Sequence, residues 1–450
     1  MTKVLFEKGA ILRMRNRILK NASWIIGSRI LQAVFSLFIS MLTARYLGPA
    51  NYGLINYASS LVAFVTPIMQ MGINSVLVHE IIKHPHEEEV YVGTATWLNL
   101  LSSLLCIIGI VSFTVIVNHG EKETIIVCAL YSVLLIFQSF EMLQYWFQAK
   151  LLSKYTSIIS LVAYVAMSIY KIYLLITKKS VYWFALSTSI DYLVIAVGTY
   201  IVYRKLTHFR LKFSKEVGKY IIKIGKYYII SDLMVTIFAQ TDRIMLKSMV
   251  GNQAVGFYSA AITCSLMTQF VFGAILDSSR PVILESKEIS NQQYELNMKR
   301  LYAIIICLSL IQSICITIVA PFMIRILYGA SYNSTVSVLR ILVWYTTFSY
   351  LGSARNVWIL AERKQKYLVS INIMGAIANV ILNLCFIPFW GINGAAFASL
   401  VTQIFTNVIT GFILKPIRKT NFLMFEAVSP HFLVKEIKKI MNGGNKNVTI

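Results

Sequence analysis

Long apolar runs separated by short polar links make up most of the chain. Segments of roughly 19 to 26 residues recur at 24–43, 54–77, 92–117, 124–146, 156–176 and 181–203, then at 221–246, 254–276, 303–322, 336–354, 367–388 and 392–414. About 20 apolar residues cross a bilayer as a helix. A chain in hydrocarbon must satisfy its backbone N–H and C=O groups internally, which leaves helices or closed barrels. The pattern therefore predicts an all-α integral membrane protein of about 12 transmembrane helices. An even number of spans puts both termini on one side.

The charged link 204–220 divides the chain. The expected organisation is a basic N-terminus (1–21), a six-helix bundle (22–203), the basic linker (204–220), a second six-helix bundle (221–414) and a basic tail (415–450) containing KEIKKIMNGGNKN. An offset of 203 residues lays Ser28 on Ser231, Phe35 on Phe238, Gly48 on Gly251, Gly53 on Gly256 and Ala58 on Ala261. Halves with an even number of spans point the same way. They are expected to be related by a pseudo-two-fold axis along the membrane normal, as a V-shaped pair around a central cavity, with access alternating by rocking.

Composition agrees with lipid: 57% of the 450 residues are hydrophobic and 14% charged. The net charge of +23 would also suit a nucleic-acid protein, so placement of the charges decides. With both termini inside, inner segments carry 30 Lys or Arg and outer loops carry six, namely Arg45, Lys122, Lys178, Lys179, Lys247 and Arg325. That split is a positive-inside signal and orients both termini to the cytoplasm. Arg355, just past the tenth segment, is counted inside. No loop offers an aromatic platform for nucleic acid. The basic N-terminus lacks a short h-region with a cleavage site, so the first span is read as retained. Six cysteines scattered through apolar runs read as small core residues rather than metal ligands. Aromatics near span ends, including Trp24, Tyr46, Tyr52, Trp146, Tyr182, Trp183 and Trp390, read mostly as interfacial belts.

LTARYLGPANYGLINYASS (42–60) resembles the first-hairpin signature of the polysaccharide-export flippases of the multidrug/oligosaccharidyl-lipid/polysaccharide exporter superfamily. TDRIMLKSMVGNQAVGFYSAA (241–261), LYGASYNSTVSVLRIL (327–342) and GINGAAFAS (391–399) are similar to later family patterns, in order and at the expected spacing. The resemblance covers about 20–415. It implies a flippase of the O-antigen or capsule-repeat (Wzx) type, acting in lipopolysaccharide or capsule synthesis. Such a protein moves an undecaprenyl-pyrophosphate-linked oligosaccharide from the inner to the outer leaflet of a bacterial inner membrane. The expected partners are the lipid-linked oligosaccharide, membrane lipids, a polysaccharide polymerase and a chain-length regulator, with no nucleic acid.

Ionisable groups at membrane depth need a partner, a wet cavity or an escape to the interface. Arg29 and Asp232 occupy equivalent positions at the 203-residue offset, and Asp232 is the deepest acid. Arg29 could bind a diphosphate, a guanidinium offering paired donors to phosphate oxygens, with Asp232 pairing to it until substrate or a proton intervenes. The plainer alternative is that Arg29 snorkels and Asp232 bonds to helix hydroxyls. Lys171 and Asp191, on successive spans, read as a structural or transport pair. Asp242, Arg243 and Arg340 read as outer gate or interfacial anchors. Glu141, Lys223 and Lys226, near inner ends, could meet an anionic head group or snorkel. Arg29, Lys171, Arg243 and Arg340 are thus the substrate candidates, and Asp232, Asp191, Asp242 and Glu141 the coupling or gating candidates, around a positively charged cavity.

No GxxxxGK[ST] loop or HExxH motif occurs, so neither nucleotide-driven nor metal-dependent hydrolysis is encoded here. No enzyme activity, cofactor or metal is expected; H+ or Na+ is the candidate coupling ion. A membrane glycosyltransferase or polymerase would need a sizeable outer loop, whereas the longest has thirteen residues (323–335). A drug exporter of the same superfamily is the remaining alternative.

Overall fold

The computed structural model describes residues 2–432; side chains are described from Phe35 onward, Tyr227 excepted, together with Gln32. The side chains of Trp24 and Arg29 and the tail segment KEIKKIMNGGNKN lie outside what is described. Among the described residues there is no strand.

The first helix, α1 (Thr2–Gln70), turns back on itself at Gly48, whose φ of 71° favours glycine. Ser40 and Tyr52 hydroxyls meet at 2.9 Å across the turn. A straight helix would hold residues twelve apart about 18 Å from one another. After Gly72, itself at φ 66°, follow α2 (Ile73–Lys83) and α3 (Glu88–Val117). The fourth segment is broken into α4 (Lys122–Ser132), α5 (Leu134–Gln138), a 3-10 turn (Ser139–Glu141) and α6 (Met142–Ala149). Then come α7 (Ser153–Ile176), α8 (Val181–Thr207) and α9 (Lys215–Met249). The later helices are α10 (Asn252–Ser265), α11 (Gln269–Ile289), α12 (Asn291–Leu327), α13 (Thr335–Ala361) and α14 (Lys366–Ile404). A π-helical turn (Phe405–Ile409) leads to α15 (Thr410–Ile413) and the terminal α16 (Arg418–Val428). α14 folds back at Gly391 (φ 52°), bringing Phe386 and Phe397 to 5.1 Å between ring centroids.

The twelve expected segments can all be traced, though not as twelve uniform spans. Among the described residues seven helices are long and apolar enough to cross a membrane alone, and α10 with α11, bent by 44°, would make an eighth. Two of the seven contain the Gly48 and Gly391 hairpins. α9 and α13 have the length but carry too many polar residues to pass as simple spans.

Burial is inverted relative to a water-soluble bundle. On α3 the buried side includes Thr94, Thr96, Asn99, Ser103 and Thr114, while Leu101, Leu104, Leu105, Ile108 and Ile116 are exposed. On α12, Ser309 and Ser313 are buried and Ile311, Ile314, Ile318 and Phe322 are exposed. Lipid replaces water against these surfaces, so polar groups turn inward where helices satisfy one another. The chain is a multi-pass membrane protein. The same inversion corrects two expectations. Cys307, Cys315 and Cys385 are exposed on this apolar surface, and only Cys106, Cys128 and Cys264 are buried. Tyr52 and Trp146, expected in an interfacial belt, are buried because each has an internal partner: Ser40 for the first, Glu88 for the second.

Two compact units result, Met1–Gly256 and Phe257–Ile450. The first has a core around Leu77, Tyr91, Trp146, Phe147 and Tyr203; the second has one around Met298, Tyr302 and Trp358. α9 lies in the first of these units, packed against α1, α2 and α3, and the link before it is tied to α3. The Lys212 N–H donates to the Glu89 carbonyl (3.3 Å), Lys212 and Glu89 pair through their side chains, and the Ser214 N–H donates to Thr94 Oγ1 (3.0 Å).

Candidate functional site

α9 and the start of α10 are held against the stretch from Pro49 to Gly72, the second arm of α1 and the turn after it, at two close crossings. At one, Gly72 meets Gly225: a Cβ added to Gly225 would lie 2.5 Å from the Met71 carbonyl oxygen. At the other, Gly53 lies against the backbone of Asn252, and Gly256 against that of Pro49. Between these crossings the helices part around a cavity of about 610 Å³. Its walls come from α1, α2, α4, α5, α8 and α9.

Asp232 stands at the midpoint of the 35-residue α9 and lines this cavity half-buried. Its backbone carbonyl accepts from Thr236 Oγ1 at 2.9 Å, and no hydrogen bond to its carboxylate is formed by a described side chain. Thr66 and Gln70 on the second arm of α1 and Asn74 on α2 line the same cavity, with Asn74 Nδ2 donating to Gln70 Oε1 at 3.0 Å. Tyr131 adds a hydroxyl that interacts with Ser59 and Thr188. The result is a chamber with a partly polar lining and one carboxylate, on helices whose apolar runs read as membrane-spanning.

Glu141 sits one step behind that wall. Gln138, which lines the cavity, donates its Nε2 to Glu141 Oε2 at 3.4 Å. Tyr145 lies within electrostatic reach of both Glu141 and Asp232. Asp191 neighbours the cavity residue Tyr192 and attracts Lys171, but the two do not close to ion-pair distance, and Asp191 Oδ1 is buried without a hydrogen-bond partner. Asp242 is buried on the last turns of α9. Beside it Arg243 donates Nη1 to Gln240 Oε1 at 3.0 Å, has a buried unpartnered Nε, and acts electrostatically on Tyr131. Arg340 is exposed on α13, its Nε donating to the Thr317 carbonyl at 3.2 Å, which makes it a helix-to-helix tie in the second unit. Lys223 and Lys226 are exposed on the first turns of α9.

The structure therefore gathers Asp232, Glu141 and, more remotely, Asp191 and Arg243 about one chamber. The described wall holds a carboxylate and no lysine or arginine, so the expected positive charge does not come from described side chains; Arg29 lies outside them. The sequence reading passed over the neutral polar lining. Its signal was present as Thr66, Gln70 and Asn74, polar residues recurring every four positions within an apolar segment.

Arg355 corrects an expectation more sharply. It was counted among the inner loops, yet α13 continues to Ala361 and buries the side chain to 5% exposure. Its Nη1 donates at 2.6 Å to the carbonyl of Thr406, inside the π turn.

Residues 18–287 match the family model described as polysaccharide biosynthesis protein. The chain belongs to the polysaccharide biosynthesis protein family. An uncharacterized membrane protein of Methanocaldococcus jannaschii is 22% identical over 418 residues, covering 85% of this chain and 81% of its own length. Among solved structures, an inward-facing multidrug resistance MATE family transporter of the MOP superfamily matches with a TM-score of 0.66 and 15% identity, over 88% of this chain and 96% of that one. The lipid II flippase MurJ in its inward closed conformation matches with a TM-score of 0.65 and 13% identity, over 93% of both chains. At these identities the structural likeness shows a shared fold, and the family membership rests on the sequence match.

Proposed function

We propose that this family member is a flippase. It carries an undecaprenyl-pyrophosphate-linked oligosaccharide, an O-antigen or capsule repeat unit, from the inner to the outer leaflet of a bacterial inner membrane by alternating access. Both termini lie in the cytoplasm, as the distribution of basic residues indicates. The observation that carries the reading is the membrane-depth chamber around Asp232 in a chain of this family. Asp232 serves as the coupling carboxylate for H+ or Na+, alternately occupied and released as the helices around it move. The diphosphate is met by basic groups at the inner helix ends, Lys223 and Lys226 among them.

The test is delivery of surface polysaccharide in a flippase-deleted host at matched expression. Asp232→Asn is expected to leave lipid-linked repeats accumulating on the inner leaflet while the protein stays folded. Full surface polysaccharide in that variant would remove Asp232 from the mechanism. A second reading is favoured by the sign of the chamber itself: a carboxylate without a neighbouring described cation suits an organic cation, as in a drug exporter. Wild-type protein that restores cation resistance and no surface polysaccharide would select that reading.

A further inference from the structure

A second cavity of the first unit lies on the other side of the same two walls. It is a groove of about 740 Å³ between α3, α5 and α8, and it shares no lining residue with the Asp232 chamber. Its floor and sides are apolar, with Trp97, Phe140, Leu193 and Val197 among them, and its mouth carries Arg204 and Arg210. The 3-10 turn Ser139–Glu141 contributes Phe140 to it, edge-on to Tyr200 of α8 at 6.3 Å between ring centroids. Its rim is open to lipid: Trp97 is 52% and Val197 47% exposed.

We propose that this groove binds an anionic phospholipid of the leaflet on the basic-loop side, one acyl chain lying along α8 and the phosphate on Arg204 and Arg210. The dimensions fit. From Arg204 to Leu193 is eleven residues, about 16 Å at the helical rise, against about 15 Å for half of a 30 Å hydrocarbon core. The charge fits as well. Arg210 has no hydrogen-bond partner among the described residues, and Arg204 commits one Nη to the Phe209 carbonyl at 2.9 Å, leaving other guanidinium N–H groups for a phosphate. The nearby acids are already engaged, Glu88 by Lys150 and Trp146 and Glu89 by Lys212. Basic pockets between membrane helices at that depth are the usual seat of anionic head groups.

The groove adjoins the chamber. Phe137 lines the groove and its neighbour Gln138 lines the chamber; Leu193 and Tyr192 are paired in the same way on α8. A lipid in the groove therefore lies against residues adjacent to those that line the chamber.

The test uses delipidated, detergent-purified full-length protein and two probes with the same acyl chains, phosphatidylglycerol and phosphatidylcholine, read by native mass spectrometry and by the shift in thermal unfolding. Wild type should retain one phosphatidylglycerol, preferred over phosphatidylcholine by roughly 10- to 30-fold, as two arginines near the membrane surface imply. The double variant Arg204→Ala/Arg210→Ala should lose that preference, and Arg210→Gln, which touches no described hydrogen bond, should lose part of it with unchanged lipid-free stability. Val197→Trp, which fills the groove and keeps both arginines, should lose both lipids. Equal binding of the two lipids by wild type, or undiminished phosphatidylglycerol binding by any of these variants, would overturn the proposal. So would displacement of phosphatidylglycerol by an equal concentration of undecaprenyl phosphate, which would make the groove a seat for a substrate tail.

Discussion

Gly53 packs against the backbone of Asn252 while Gly256 packs against that of Pro49, and the two contacts are exchanged by the same 203-residue offset that relates the hairpins in sequence. A Cβ at Gly53 would overlap the Asn252 carbonyl and stand 2.7 Å from the Gly256 nitrogen. The turns meet reciprocally, as equivalent residues do across a two-fold axis. The glycines five positions earlier, Gly48 and Gly251, both have positive φ, 71° and 117°. The repeat is therefore visible in backbone conformation as well as in residue identity.

Each of Gly53→Ala and Gly256→Ala should force that crossing apart, at about 1–3 kcal/mol of stability for an overpacked contact. Because both open the same crossing, the double variant should lose less than the sum of the singles. Thermal unfolding of the purified proteins measures this. Losses that simply add would mean the two glycines act at independent places.

Lys247 fixes the last turns of α9 to the link between α3 and α4. Its Nζ donates to Glu121 Oε2 at 2.6 Å, the lysine side chain being 4% exposed and the glutamate 53%. The hydrogen bond from Lys247, helped by one from Thr124, holds the Glu121 carboxyl below the usual carboxylate range. A carboxylate with a lowered folded-state pKa binds its proton more weakly when folded. Its stabilising contribution is present above the ordinary carboxylate pKa and disappears as pH falls through the lowered value. Wild type should thus become less stable on acidification through that window, and Glu121→Gln should start lower at neutral pH and change less. With Glu121 half in water, the neutral-pH difference should be about 1 kcal/mol. A pH series of unfolding temperatures checks it; parallel curves for the two proteins would dismiss the pair as a source of pH dependence.

Much of the architecture was legible because lipid imposes a length on every span and a polarity on every loop. What sequence could not supply was the pairing of surfaces. Nothing local distinguishes a lysine that caps a span from one such as Lys247, buried against a residue 126 positions earlier. Asp232 was legible as a membrane-depth acid, whereas the neighbours that make it a site come from five other helices. Arg355 was misplaced because the apolar run reads as finished at Ala354, whereas α13 continues to Ala361 and the second unit's own packing buries the arginine.

Glu88 shows the same dependence on distant partners. It is 5% exposed, accepts from Trp146 Nε1 at 2.7 Å and pairs with Lys150. Glu88→Ala should cost about 2–4 kcal/mol, since it leaves a buried indole N–H without an acceptor and a lysine without its counter-charge. Lys150→Ala, at a side chain 38% exposed, should cost less. In a double-mutant cycle read by chemical unfolding, a coupling of about 1 kcal/mol is expected. No coupling would mean Glu88 is held by the tryptophan alone.

Arg355 tests whether the π turn is held from outside. A π turn displaces a carbonyl from its helical partner, and at Phe405–Ile409 the Thr406 oxygen receives the Arg355 guanidinium. Around it the fit is close: Asn407, bonded to Gln403, lies directly over Gly352, where any Cβ would strike it. Arg355→Met keeps the length and apolar volume but removes the donor, and should cost about 1–3 kcal/mol for the buried carbonyl left unpaired. Arg355→Lys should recover only part of this, because a single ammonium lacks the planar fork that the site accommodates. Amide hydrogen exchange locates the effect. Faster exchange confined to residues 403–410 in Arg355→Met would identify the arginine as the brace of the turn, whereas unchanged exchange there, with stability lost elsewhere, would show that the turn holds itself.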